Sequence, residues 1–153
     1  MTRKRLSILV CAALTALLLT STFAFAQSWK GPRGSGGWGS GTKYNKMYNP
    51  AAVETLSGEV SDIQTVVPYK GMNSGVQIIV KTDKETVPVH LGPSWYIERL
   101  DFKIVKGDRV EVKGSRSTFA GRPVFIAGEL KKGDQTLVLR DANGVPVWSG
   151  WRR

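Results

Sequence analysis

From about Ala52 almost to its end the chain alternates apolar and polar positions, with two interruptions that say as much as the pattern does. Period-two alternation marks half-buried strands, because successive side chains leave a strand on opposite faces. Leu56 and Val60 keep one parity and Ile63 and Val67 the other, so the first strand is expected to be long and to carry a β-bulge near Ser61-Asp62. Residues 68–74, rich in Pro, Gly, Asn and Ser, read as a loop. In the second strand Val76, Ile78 and Val80 face one way and Gln77, Ile79 and Lys81 the other. A polar turn over 82–85 then leads to a third strand, with Val87, Val89 and Leu91 inward and Thr86, Pro88 and His90 outward.

The first interruption is His90 to Leu100, the one convincing helix. Gly92 and Pro93 stop the strand, Pro suits a first helical turn, Ser94 can cap it, and Tyr96 and Leu100 share a face at i,i+4. Trp95, beside Pro93, reads as a core residue. A fourth strand follows Lys106-Gly107-Asp108 with Val110 and Val112 inward, and Ala120-Gly121 turns it into a fifth from Arg122 to Leu130. Thr136 to Arg140 and Val145 to Trp148 read as a terminal hairpin around Asn143-Gly144, a strong turn pair.

The second interruption comes before the alternation. Residues 1–26 combine Arg3, Lys4 and Arg5, an apolar stretch from Leu6 to Leu19 and the small-residue ending Ala24-Phe25-Ala26, which reads as a secretory signal peptide. Residues 27–51 are rich in Gly, Ser and Asn and nearly free of aliphatic side chains, so they read as a flexible arm. Trp29, Trp38, Tyr44 and Tyr48 would also suit a stacking or membrane-surface role for that arm. The expected organisation is signal peptide 1–26, arm 27–51 and one domain 52–153, exported and periplasmic, with no stable membrane span once the signal is removed. Cys11 lies in the signal, which leaves the mature chain without disulfides or a thiolate metal site.

Three strands, a helix and two strands follow the element order of the OB-fold. The expected class is therefore all-β: a five-stranded OB-fold-like Greek-key barrel, one short helix between strands 3 and 4, and an extra C-terminal hairpin. The ligand face of that architecture lies on strands two and three, walled by the first loop and the loop between strands four and five. This mapping gathers Tyr69, Lys70, Gln77, Lys81, His90, Arg116, Phe119 and Arg122 into one basic and aromatic groove. The chain carries a net charge of +10, and removing residues 1–26 leaves 19 basic against 12 acidic residues, a net +7. Such a charge favours an anionic ligand, nucleic acid or polysaccharide, and single strands stack well on aromatic rings flanked by cations. The other reading of the same residues is an ordinary solvated face with Tyr69 and Phe119 as loop anchors.

The segments TDKETVPVHLGPSWYIERLDFKI, RVEVKGSR and VLRDANGVPVWSGWR resemble small exported bacterial OB-fold proteins that are often labelled DNA-binding. The resemblance spans about 52–153 and implies the barrel and export; the DNA-binding label comes largely with the fold.

Catalysis finds little support. His90 is the one histidine, no G-x-S-x-G nucleophile motif occurs, and the acids are scattered over turns and strand exteriors, so no enzyme and no cofactor are expected. The leading expectation is an exported, non-catalytic OB-fold binding protein for an anionic ligand. A second is an envelope accessory protein docking on another protein through its arm and its Trp148/Trp151 tail, unless those two rings clasp the barrel instead. A third is a small metal-handling protein using Met47, Met72 and His90, since thioethers suit Cu(I).

Overall fold

The computed structural model describes residues 35–150. The signal peptide, Trp29 and Trp151 lie outside the described residues.

The strands are β1 (Glu54–Val66), β2 (Gly75–Lys81), β3 (Thr86–Pro93), β4 (Arg109–Phe119), β5 (Arg122–Lys132) and β6 (Gln135–Val138), with a single helical turn, α1 (Ser94–Ile97), between β3 and β4. They form one sheet in the order β3-β2-β1-β4-β5-β6. Neighbours in that order pair antiparallel, and a short parallel contact, Val89 to Phe125 and His90 to Ile126, joins β3 to β5 so that the sheet curls onto itself. The protein is thus mostly β-sheet with one short helix.

The long first strand makes this curl possible. Its first half, Glu54 to Glu59, pairs with β4, and its second half, Glu59 to Val66, pairs with β2. The changeover coincides with a register shift between Val60 and Asp62, the bulge expected from the parity switch. A bulge bends and twists a strand, which lets one strand serve two partners. Inside the curl, Val60, Ile78, Val80, Val89, Val112, Phe125 and Leu130 are fully buried. Each such side chain contributes roughly 1.5–3 kcal/mol relative to leaving it in water.

Several expectations need correction. The helix is Ser94–Ile97 rather than most of His90 to Leu100. Pro93, at φ −66° and ψ 139°, is still extended as the last residue of β3. After one turn the bonds tighten to Arg99 N–H on Tyr96 O and Leu100 N–H on Ile97 O, and the chain leaves the helix. His90 is not an outward residue of β3: it is only 2% exposed. Gln77 pairs with His90 and Val76 with Gly92, so Leu91 is an extra residue, alternation fails there, and every residue from Val89 to Pro93 is buried. The terminal hairpin is reduced as well. β6 joins the sheet beside β5, but its return is a single bridge, Arg140 to Pro146, before a 3-10 turn, Val147–Gly150. The Asn143-Gly144 turn does form, with the Asp141 carboxylate accepting from the N–H groups of Asn143 and Val145.

The largest departure is the arm. From Ser35 onward it is built into the domain, with Trp38 0%, Tyr44 1% and Tyr48 9% exposed in the core cluster and a 3-10 turn at Asn45–Met47. Composition read as a free linker because the segment lacks aliphatics. Its three aromatic rings bury enough surface to order it nonetheless.

Candidate functional site

The face expected to bind ligand is occupied by the chain itself. Tyr44 lies against His90 (ring centroids 5.9 Å) and Phe119 (5.5 Å), and its hydroxyl is 3.1 Å from His90 Nδ1. Burial holds the His90 pKa down at about 4 and pushes the Tyr44 phenol well above its ordinary value. Near neutral pH a neutral phenol therefore shares this hydrogen bond with a neutral imidazole. Tyr69 closes the arrangement from the loop after β1, edge-on to Phe119 at 5.3 Å, with Lys43 Nζ 4.6 Å from its ring centroid.

Two tryptophans hold this cover in place. Trp38 packs on Tyr44 at 4.5 Å and donates its Nε1–H to Asn73 O at 2.8 Å, while Trp148 donates its Nε1–H to Trp38 O at 2.7 Å. Both rings pack directly against glycines: a Cβ at Gly75 would collide with the Trp38 ring, and one at Gly92 would stand 2.8 Å from Trp148 Cη2. Ser40 N–H donating to Ser149 Oγ at 3.1 Å ties the two flanks together. Trp148 thus clasps the sheet. Trp38 and Trp148, both on the expected docking segments, are sequestered inside the molecule.

Arg140, 5% exposed, is the buried charge of the clasp. It donates to Asn45 Oδ1 and to Gly144 O, and its guanidinium stands 5.0 Å from the Tyr48 ring and 5.5 Å from that of Trp148. Nε has no hydrogen-bond partner. Burial pulls the Arg140 pKa down, but from so high a value that it stays protonated.

The remaining residues of the expected groove are dispersed or engaged. Arg116 Nε donates to Glu54 Oε1 at 2.7 Å and its terminal nitrogens donate to the Glu85 carboxylate, which lowers the Glu85 pKa. Gln77 Nε2 donates to Gln64 Oε1 at 2.9 Å. Lys70, Lys81 and Arg122 are exposed. Tyr69, His90 and Phe119 are brought together, but around Tyr44 rather than around an open groove. The sequence reading placed Trp38 and Tyr44 on a free arm and missed Arg140; three aromatics, Trp38, Tyr44 and Tyr48, within eleven residues of a Gly-rich stretch were the available signal. With His90 Nδ1 engaged by Tyr44, no group of three His, Cys, Asp or Glu side chains among the described residues is placed to hold a metal ion. Among the same residues no helix is long and apolar enough to cross a membrane.

A concavity lies elsewhere, on the outer face of β1, β4 and β5. It measures ≈ 330 Å³ and is lined by Ser57, Gly58, Arg109, Val110, Glu111, Lys131 and Gly133. Its walls are charged and solvent-facing, unlike the aromatic face under the clasp.

No curated protein matches the chain. A family model does: that of the MamS/MamX magnetosome proteins, over residues 52–137. This finding overturns the expected function, because it points to a magnetosome-associated role and not to nucleic acid binding. The matched segment runs from just before β1 to within β6 and covers more than half of the sequence, so the chain belongs to the MamS/MamX magnetosome protein family.

Proposed function

We propose that this protein is a non-catalytic accessory component of the magnetosome, an exported domain that works by docking on another protein. The observation that carries the reading is the family match over residues 52–137. Export rests on the signal-peptide pattern of residues 1–26. A barrel of the OB type is supported by the order β1-β2-β3-α1-β4-β5 together with the parallel β3–β5 contact, and the resemblance to small exported bacterial OB-fold proteins agrees with it. A docking role suits a domain whose aromatic face is already filled by its own Tyr44 and whose surface is charged sheet.

The test is fractionation of a magnetosome-forming cell that carries the chain with a C-terminal tag. The protein is expected to co-purify with washed magnetosomes. Recovery wholly in the soluble cytoplasm would defeat both the export and the association.

A further inference from the structure

Four cations among the described residues are held by acidic neighbours. Lys113 meets Glu129 at 3.4 Å, Lys132 meets Asp108 at 2.8 Å, Lys106 meets Asp62 at 2.8 Å, and Arg116 is held by Glu54 and Glu85. The concavity on the outer sheet holds charges that have no such neighbour bound to them. Its side chains Arg109, Glu111 and Lys131 are exposed and form no ion pair or hydrogen bond among the described residues. Glu111 nevertheless pairs across the strands with Lys131 on one side and with Ser57 on the other, and Arg109 precedes it by two residues along β4 on the same face.

From these placements we propose that the concavity is a docking site for an extended acidic peptide segment of a partner protein, with carboxylates on alternate residues. The spacing is the argument. Because Glu111 is opposite Lys131, Arg109 and Lys131 are diagonal neighbours, a relation that puts their Cβ atoms roughly 7–8 Å apart. Side chains on one face of an extended peptide recur every two residues, about 7 Å apart. Two carboxylates at i and i+2 therefore meet the guanidinium and the ammonium together, and the planar guanidinium can take its carboxylate through two parallel hydrogen bonds. Glu111 stands beside both cations, opposite Lys131 and two residues from Arg109, so its carboxylate opposes an anion at either one, and most strongly a compact anion seated among all three. The net charge of +7 that remains without residues 1–26 adds long-range attraction for such a partner. This inference rests on the docking role proposed above and names the chemistry of the partner.

The experiment is fluorescence anisotropy of a labelled hexapeptide alternating glutamate and serine, titrated with the protein at low salt, with inorganic phosphate as competitor. The Arg109→Gln/Lys131→Gln double variant is expected to bind at least tenfold more weakly, and Glu111→Gln several-fold more tightly. Arg99→Gln/Lys84→Gln, which removes the same charge from exposed positions outside the concavity, is expected to change affinity less than twofold. Thermal unfolding of each variant checks that these exposed substitutions leave the fold intact. An equal loss in the control variant, displacement by phosphate at the peptide's own charge concentration, or no binding by the unmodified protein would each overturn the proposal. If the unmodified protein ignores the peptide yet still co-purifies with magnetosomes, the docking site falls while the association stands.

Discussion

His90 and Ala120 show how far a single residue's environment departs from what its identity suggests. His90 faces Tyr44, with the Arg140 charge nearby, and burial lowers its pKa from 6.5 to about 4. Below pH 6.5 the unfolded chain takes up a proton that the folded protein refuses until about pH 4. Stability is therefore full above that window, falls as the pH drops through it, and levels off at its lower end. A shift of this size, at ~1.4 kcal/mol per pH unit, amounts to a loss of about 3 kcal/mol. Urea unfolding at about pH 7 and about pH 4.5 should show most of that loss in the native protein and little of it in His90→Gln, which keeps an acceptor for the Tyr44 hydroxyl. Equal losses in both would exclude His90 as the source. Ala120 is a different kind of strain: at φ 50°, followed by Gly121 at φ 74°, it holds a left-handed conformation in the two-residue turn between β4 and β5. That conformation costs a residue with a Cβ roughly 1–2 kcal/mol. Asparagine tolerates it better, so Ala120→Asn should stabilise the protein by about 0.5–1 kcal/mol and raise Tm by a few degrees. An unchanged or lower Tm would count against strain at this turn.

At the scale of elements, what could be read from the sequence was whatever depends on neighbours along the chain. Alternation located β1 to β5, the parity switch located the bulge, and Asn143-Gly144 located its turn. What could not be read depends on a distant segment arriving. His90 follows the outward parity of Thr86 and Pro88, and nothing local announces that Tyr44, 46 positions earlier, lies over it. The expected groove differs for the same reason: Tyr69, His90 and Phe119 do lie together, but around an aromatic ring, Tyr44, that the chain itself supplies. Residues 35–50 looked too poor in aliphatics to fold, yet Trp38 and Trp148 find glycine platforms at Gly75 and Gly92. The helix was overestimated because a capping pattern marks where a helix starts more sharply than how long it lasts. The clasp makes a testable claim about coupling. Trp38→Ala and Trp148→Ala should each cost about 3–5 kcal/mol. The Trp148 Nε1–H bond to Trp38 O and the shared β2–β3 platform should make the double variant less damaged than the sum, with a coupling of about 1–3 kcal/mol. Additive losses in a double-mutant cycle would mean the two rings act as separate anchors.

At the scale of the molecule, the family match and the folded unit do not have the same limits. The match covers residues 52–137, whereas the core cluster also takes in Trp38, Tyr44 and Tyr48 from before it and Leu139 and Trp148 from after it. Cutting at the limits of the match would uncover His90 and Phe119 and open the β2–β3 face at Gly75 and Gly92. It would also remove Arg140, which joins the two flanks through Asn45 and Gly144. Losing several buried aromatics at once exceeds the stability of about 5–15 kcal/mol that a domain of this size commands. A fragment of residues 52–137 should therefore keep strand signal in far-UV circular dichroism while binding a hydrophobic dye and unfolding without a sharp thermal transition. Residues 35–150 should unfold cooperatively. If the shorter fragment melts as sharply and at the same temperature as the longer one, the flanks are a covering laid over a self-sufficient barrel, and the aromatic face beneath them is free to open without unfolding the rest.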